Sequence, residues 1–471
     1  MTRSHINLDL DSIADELKSI VGDRWVITQY ELMESYLKDE TPDPLRPKPA
    51  EKLVLVKPSS TTEVSSILKF ANNKKIPVFP VGGRTGLVGG AVPTEPGIIL
   101  SLERMNKIEI DKENLMAVAE AGATLGDLIK SAEDANLFFP PHPGDEGAQI
   151  GGLVATNAGG ARAIKYGVMR NYIKGLEVVL PTGEILSFGG KLLKNNTGYN
   201  LMQLIIGSEG TLCVITKAVI RLFPKSKSMI TLIIPFKNRS DALKSVPEIL
   251  RSGSMPLAIE YVQIKEIMKA AEHLNENWPV QEGVAQLIII LDGISQEELL
   301  LTCEEISRIC ESNNAIDVML AESSEEQNKI LRIRSNIYTA LKPDMIDILD
   351  VVVPPRSLRK LMDEVDKIAS KYGVYLPTYG HAGDGNLHVH IMKEDVKNLD
   401  IAKKIKNEVY KVAISLGGVI TGEHGIGKLR IENLDLVLNS KHIEIMRNIK
   451  RIFDPNNILN PHKVLPSTYV E

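Results

Sequence analysis

Apolar and polar positions divide the chain into segments of two periods. Residues 10–38 carry apolar side chains at helical spacing until Thr41-Pro42-Asp43-Pro44 breaks the pattern, so a helix is expected there. Residues 53–56 form a short apolar run of strand length. Ser60-Thr61-Thr62-Glu63 has capping-box spacing, in which hydroxyl and carboxylate take up free amides, and predicts a helix from there to 73. A second apolar run at 78–81 completes a strand–helix–strand unit. It leads straight into Gly82-Gly83-Arg84-Thr85-Gly86-Leu87-Val88-Gly89-Gly90. Strands are predicted at 98–102 and 117–121 and a helix over 124–135. Residues 140–160 are mostly glycine, proline and small side chains, too few of them large for a core element. The stretch reads as a long loop, and such loops in compact domains are more often functional than idle. Strands at 175–180 and 184–188 follow, joined by Pro181-Thr182-Gly183.

The pattern shifts near Pro224. Strands at 229–235, 258–262 and 286–291 then alternate with helices at 240–252 and 296–313, which predicts an α+β unit with an antiparallel sheet. Two alternating strands, 376–381 and 386–391, flank the turn Gly383-Asp384-Gly385. Residues two apart on a strand share a face. His388 and His390 therefore point one way while Leu387, Val389 and Ile391 point to the core, and the turn can fold His381 back beside His388. Residues 429–471 read as a helix and a tail.

Composition narrows the function classes. The 471 residues are 24% charged and 43% hydrophobic, the balance of a soluble globular protein. A net charge of −5 without a basic stripe argues against nucleic acid and against an anionic membrane surface. Apolar runs such as 287–291 are too short to span a bilayer. Asp9, Asp11, Asp15 and Glu16 interrupt residues 1–17, so no signal peptide is expected and a cytoplasmic location is. The three cysteines, Cys213, Cys303 and Cys310, form no C-x-x-C pair, which disfavours a disulfide framework, a thiolate zinc site and an iron–sulfur cluster held by this chain alone.

Glycine lets backbone N–H groups close on phosphate oxygens. A dinucleotide fingerprint needs a helix directly after its glycines, yet Ala91-Val92-Pro93 and a strand follow here; no Gly-Lys-Ser/Thr closes a Walker loop either. What remains is an anion cradle of loop amides. A second set, Pro143-Gly144, Gly151-Gly152 and Ala155-Thr156-Asn157-Ala158-Gly159-Gly160, with Arg162 and Lys165 just after, suggests a ligand with a pyrophosphate and an extended body. Four of the nine histidines, His381, His388, His390 and His424, lie between 381 and 424, and Glu423 sits in Thr421-Gly422-Glu423-His424-Gly425-Ile426-Gly427. Imidazoles and a carboxylate in glycine turns leave coordination positions open, the pattern of a catalytic divalent metal.

These segments, with Ile150-Gly151-Gly152, Lys165-Tyr166-Gly167, Asn195-Asn196-Thr197-Gly198-Tyr199 and Gly207-Ser208-Glu209-Gly210-Thr211, resemble the FAD-linked oxidase/dehydrogenase family of the vanillyl-alcohol-oxidase (PCMH) fold. The resemblance is to its D-2-hydroxyacid dehydrogenase branch, which includes the flavin-binding chain of glycolate oxidase, and runs from about Leu53 onward. It implies an α+β protein: a PCMH-type two-subdomain FAD-binding domain over 1–224, a substrate (cap) domain with an antiparallel sheet and the metal motif over 225–428, and a segment 429–471 returning to the FAD domain. The implied FAD contacts are Pro80, Gly82, Gly83, Arg84, Thr85, Gly86, Leu87, Pro143, Gly144, Gly151, Gly152, Thr156, Asn157, Gly159, Gly160, Tyr166, Gly210, Val214, Ile215 and Asn460. Arg84 replaces the branch's usual third glycine, where covalently flavinylated relatives carry histidine, so FAD is expected to be non-covalent and Arg84 can pair with a phosphate. Cys213 reads as a buried inert thiol.

The family's H-x-G-D-G-N-L-H and G-E-H-G motifs imply His381, His388 and Glu423 as ligands of a divalent metal, zinc first, with manganese or iron suited to the same donors. They imply His424 as catalytic base, Arg334 as the grip on the substrate carboxylate, and His390 where the family often has an asparagine contacting the hydroxyacid. The implied reaction is oxidation of a 2-hydroxyacid, its C2 hydrogen leaving as hydride to flavin N5. Tyr338 replaces a smaller hydroxyl residue, and Ile348 a lysine, of hydroxyglutarate-specific relatives, which favours D-lactate or glycolate over the alternative D-2-hydroxyglutarate. Electrons would leave to a quinone, an electron-transfer flavoprotein, an iron–sulfur subunit or oxygen, with any membrane contact made through that partner; a homodimer stays open. An alkyl-glycerone-phosphate-synthase-like transferase and a non-catalytic FAD subunit are the rival readings.

Overall fold

Apolar runs buried on both faces make a small parallel sheet first. In the computed structural model, which describes residues 9–396 and 398–466, Leu53–Val56 and Val78–Val81 flank Gly97–Ser101 in parallel, and Val26–Ile27 adds an antiparallel edge. The first eight residues of the stretch read as free of a signal peptide, and the last five of 429–471, lie outside the described residues. Parallel strands need a crossover, and the helix Thr61–Lys74 supplies the one between the two outer parallel strands, Leu53–Val56 and Val78–Val81. Ser60 caps it by accepting the Glu63 amide, while the Glu63 carboxylate takes the Ser59 amide instead of closing the box on Ser60. The helix expected over 10–38 is shorter. It spans Leu10–Val21 and ends at Gly22, whose φ of +87° suits glycine, after which β-branched Val26 and Ile27 pair as strand and Tyr30–Tyr36 forms a 3-10 helix.

A five-stranded antiparallel sheet follows, in the order Ile108–Asp111, Met116–Glu120, Val214–Arg221, Ile173–Val179, Ile185–Gly189. The 140–160 stretch is not all loop. Ile150–Thr156 is a helix whose Ile150, Leu153 and Val154 enter the core at i, i+3 and i+4, ending at Asn157 with φ +51°. Gly151 and Gly152 in its first turn hid it by lowering helix propensity, but Gly151 is needed: a Cβ there would sit 2.8 Å from the Ala121 side chain.

Beyond 224 a seven-stranded antiparallel sheet forms, ordered Met319–Ala321, Ser228–Phe236, Ala285–Gly293, Ala258–Gln263, Thr378–His381, Asn386–Met392, Met345–Val352. Helices Arg239–Arg251, Gln296–Ser312, Leu358–Tyr372 and Leu399–Ser415 cover one face, where Leu387, Val389 and Ile391 are buried. The other face carries His388 and His390. No helix among the described residues is long and apolar enough to cross a membrane.

After the helix Ser440–Phe453 the chain returns to the first sheet, where Asn460 donates its amide to Val78. Lys463 lies buried under the glycine loop, donating to the Gly90 carbonyl at 2.6 Å. Burial pushes its ammonium down to about 7, against the pull of Asp39 and Glu209. Between pH 7 and about 10 the unfolded chain therefore holds a proton that the folded chain lacks, so this group makes stability rise with pH in that window. Lys463→Met is expected to flatten the Tm profile between pH 7 and 9 relative to wild type; parallel profiles would refute it.

Candidate functional site

Two glycine-rich loops of the first unit face the histidine-bearing strands of the second across a cavity of about 1170 Å³. That exceeds the ~300–1,000 Å³ of ordinary ligand sites and leaves room for a cofactor with a substrate. Among the residues singled out in the sequence, Pro80, Gly82–Leu87, Pro143, Gly144, Gly151, Gly152, Thr156, Gly159, Gly160, Gly210, Val214, Ile215 and Asn460 line it from one side. Arg334, His381, His388, Glu423 and His424 line it from the other. A Cβ added at Gly86, Gly144 or Gly152 would meet nothing within 4 Å, so these glycines open onto the cavity; one at Gly83 would lie 2.5 Å from the Gly147 carbonyl, where the two loops touch. These residues fit an extended anionic ligand.

Asn157, Tyr166 and His390 do not line the cavity. The Asn157 side chain accepts the Arg170 amide, and Tyr166 packs on Phe138 with its hydroxyl on Asp292, so both shape the loop from behind. His390 is fully buried and stacked on the Tyr379 ring at 4.9 Å, with neither ring nitrogen hydrogen-bonded among the described residues. Burial, with His388, His424 and Arg334 nearby, holds its pKa well below the usual imidazole value. Arg84 adopts φ +62°, which glycine reaches at less cost, and its guanidinium lies over Tyr36 and donates to the Gly82 carbonyl.

The hairpin pairs His381 with Asn386, which sets the His381 and His388 rings edge-on at 5.5 Å. His424 stacks on His388 at 5.0 Å. The Nε2 atoms of His381, His388 and His424 lie 3.3, 3.4 and 3.9 Å from one oxygen, Glu423 Oε1. Donors bound at ~2.1 Å around a tetrahedral ion are ~3.4 Å apart, a separation that the His381 and His388 distances to Glu423 Oε1 match. The residues whose donor atoms all lie within 4.8 Å of one another are Asp350, His388, Glu423 and His424; His381, expected as a ligand, is not among them. The Asp350 oxygens are occupied, however: Oδ2 accepts the amides of Gly422, Glu423 and His424, each at 2.8 Å, and Oδ1 accepts from Asn386. Asp350 therefore shapes the loop rather than adding a ligand.

Glu260 is the second carboxylate that the sequence pattern did not expose. It binds His381 Nδ1 at 2.7 Å and forms an ion pair with Arg334. The carboxylate–histidine arrangement orients a metal ligand from behind. The only signal for either residue was a charge inside an apolar strand, Ala258-Ile259-Glu260-Tyr261-Val262 and Ile348-Leu349-Asp350-Val351, which must find partners when buried. Arg334 is buried, not on the surface as its helix position alone suggests, and its Cζ lies 4.9 Å over Tyr379.

Charges are tightly matched. Burial opposes ionisation of Glu423, yet His381 and His388 hold its carboxyl well below the usual range. Burial likewise opposes a charge on His381, but Glu260 and Glu423 raise it well above an ordinary imidazole. A metal must displace that proton, so binding releases it. Burial lowers His424 against the pull of Asp350, and raises Asp384 to about 7 against that of His381.

Residues 225–464 match the model of FAD linked oxidases, C-terminal domain, and residues 53–189 match that of an FAD binding domain. The chain belongs to the FAD-linked oxidase family. It is 46% identical to a D-lactate dehydrogenase of Archaeoglobus fulgidus, over 92% of this chain and 96% of that one. It is 37% identical to the glycolate oxidase subunit GlcD of Bacillus subtilis, over 87% and 88%. Its fold matches p-cresol methylhydroxylase with substrate bound at a TM-score of 0.78, over 96% of each chain at 18% identity. Both glycine-rich loops lie within the part of this FAD-linked oxidase that matches the FAD binding domain. On the opposite wall the Tyr338 hydroxyl donates to the Glu40 carbonyl, and Lys342 pairs with the Glu40 carboxylate. Glu40 in turn donates its amide to the Gly86 carbonyl, so the segment between Val26–Ile27 and Leu53–Val56 joins the first glycine loop to the second unit.

Proposed function

We propose that this FAD-linked oxidase is a D-2-hydroxyacid dehydrogenase for a small monocarboxylate, D-lactate or glycolate. The observation that carries it is the convergence of three imidazole nitrogens on Glu423 Oε1 across a cavity from the FAD loops. FAD, non-covalent because Arg84 stands in the first loop, would supply the hydride acceptor, and His381, His388 and Glu423 would hold a divalent ion, zinc best suited, that would lower the pKa of the substrate hydroxyl.

The chain's own groups do the rest. His424, kept neutral by burial, accepts the hydroxyl proton at Nε2. Arg334, held by Glu260, takes the substrate carboxylate. Glu260 keeps the His381 ring turned to the metal position through Nδ1. Ile348, buried on the cavity wall, offers no cation to a second carboxylate. Arg332 and Lys342 on that wall are already paired with Glu276 and Glu40. A buried carboxylate without a partner is costly, which disfavours 2-hydroxyglutarate. All three cysteines are buried and free, so electrons pass to a separate acceptor.

Anaerobic flavin bleaching, with metal-loaded and chelator-stripped enzyme, tests this. D-lactate or glycolate should exceed D-2-hydroxyglutarate at least ~10-fold in kcat/KM, and stripping should abolish turnover. 2-Hydroxyglutarate in the lead would reverse the substrate assignment. Absence of dye reduction with every hydroxyacid would favour a transferase without net redox change, or a non-catalytic subunit.

A further inference from the structure

The loop that carries Glu423 and His424 belongs to no strand or helix, so its amides need acceptors from elsewhere. Asp350, from the same unit, takes those of Gly422, Glu423 and His424, and Thr421 Oγ1 takes that of Gly425. The next two go across the unit boundary. Glu209 Oε1 accepts the Ile426 amide at 2.8 Å and Oε2 accepts the Gly427 amide at 2.7 Å.

Glu209 is itself fixed in the FAD-binding half. Its amide donates to the Ala155 carbonyl at 2.7 Å, its carbonyl accepts from Asn460 Nδ2 at 2.9 Å, and Gly210 beside it lines the cavity. The contact is close. Gly425 has φ +86°, and a Cβ there would sit 3.0 Å from the Glu209 carboxylate. Burial raises the pKa of this carboxyl, and the two amides, with the charge of Lys463, work against that. A carboxylate from each unit thus grips the loop, one on either side of His424.

We propose that Glu209 is a positioning residue that sets Glu423 and His424 at a fixed distance from the flavin. Between His424 and the Ile426 amide lies only Gly425, so the two bonds leave the backbone of His424 few torsions to turn. The inference rests on the hydroxyacid dehydrogenase reading for its rate readout, and on zinc binding for a readout that needs no turnover.

Glu209→Gln and Glu209→Asp, purified as holoenzymes, test it. Gln presents an N–H₂ to one of the two amides, and Asp is one methylene too short to meet both. Each is expected to lower the limiting rate of anaerobic flavin reduction by D-lactate by ~10–100-fold, and the zinc affinity of the stripped protein, read by chelator competition, by a similar factor. The FAD spectrum should stay as in wild type. Rates and zinc affinities within twofold of wild type would overturn the proposal. So would loss of FAD or of folding in both variants, which would make Glu209 a structural strut. If wild type fails to bleach with any hydroxyacid, the dehydrogenase reading falls, and zinc affinity alone decides the role of Glu209.

Discussion

His424→Ala is expected to slow anaerobic flavin reduction by D-lactate by ~10²–10⁴-fold while FAD stays bound. The side chain makes no hydrogen bond through Nδ1, and its role in holding the loop belongs to its main-chain amide, which any residue keeps on Asp350. Removing the imidazole therefore deletes a proton acceptor without deleting a support. Its ring stacks on His388 with Nε2 3.9 Å from Glu423 Oε1, close enough to share a substrate hydroxyl with the metal donors. Bleaching at the wild-type rate would remove His424 as the base. A rise in KM with unchanged limiting rate would do the same, because a base acts in the transition state and not in binding.

Strand-forming segments were legible where burial on one or both faces imposed a simple pattern. Residues 53–56 and 78–81 read as strands because every or nearly every position is apolar and buried, and 386–391 because apolar and polar side chains alternate there, although both faces are buried. The hairpin that joins His381 to His388 followed from its glycines for the same reason. Helices with glycine in the first turn, such as Ile150–Thr156, were not legible, since propensity and packing conflict there and packing wins. The supports of the site were out of reach for a different reason. Glu260 meets His381 across 121 positions of sequence, and Glu209 meets Ile426 across 217. No periodicity links residues so far apart; only the strand order, which sets Ala258–Gln263 beside Thr378–His381, brings the first pair together. Tyr166 and Asn157 show the converse, residues inside a ligand motif whose side chains turn to the scaffold.

Asp350→Ala is expected to be the most damaging single change to the loop. One buried oxygen accepts three successive amides and the Thr421 hydroxyl, and the other accepts from Asn386. Each buried donor left unpaired costs ~1–3 kcal/mol, and part of the loop can rehydrate, so a net loss of ~3–5 kcal/mol in unfolding free energy is expected. Burial pushes the Asp350 carboxyl up, but His424 and His388 hold it down to about 2. A depressed carboxylate stabilises the fold fully above pH ~4 and loses that effect as pH falls toward 2, so the difference between wild type and variant should persist at neutral pH and shrink in acid. Zinc affinity should drop ~10–100-fold, because Glu423 would lose the amide bond that orients its backbone. Asp350→Asn separates the two effects. Its amide group keeps the shape and one acceptor, so stability should recover in part while the Gly422, Glu423 and His424 amides lose their charged acceptor. Urea midpoints equal to wild type in both variants would show that the loop is held by something other than this carboxylate.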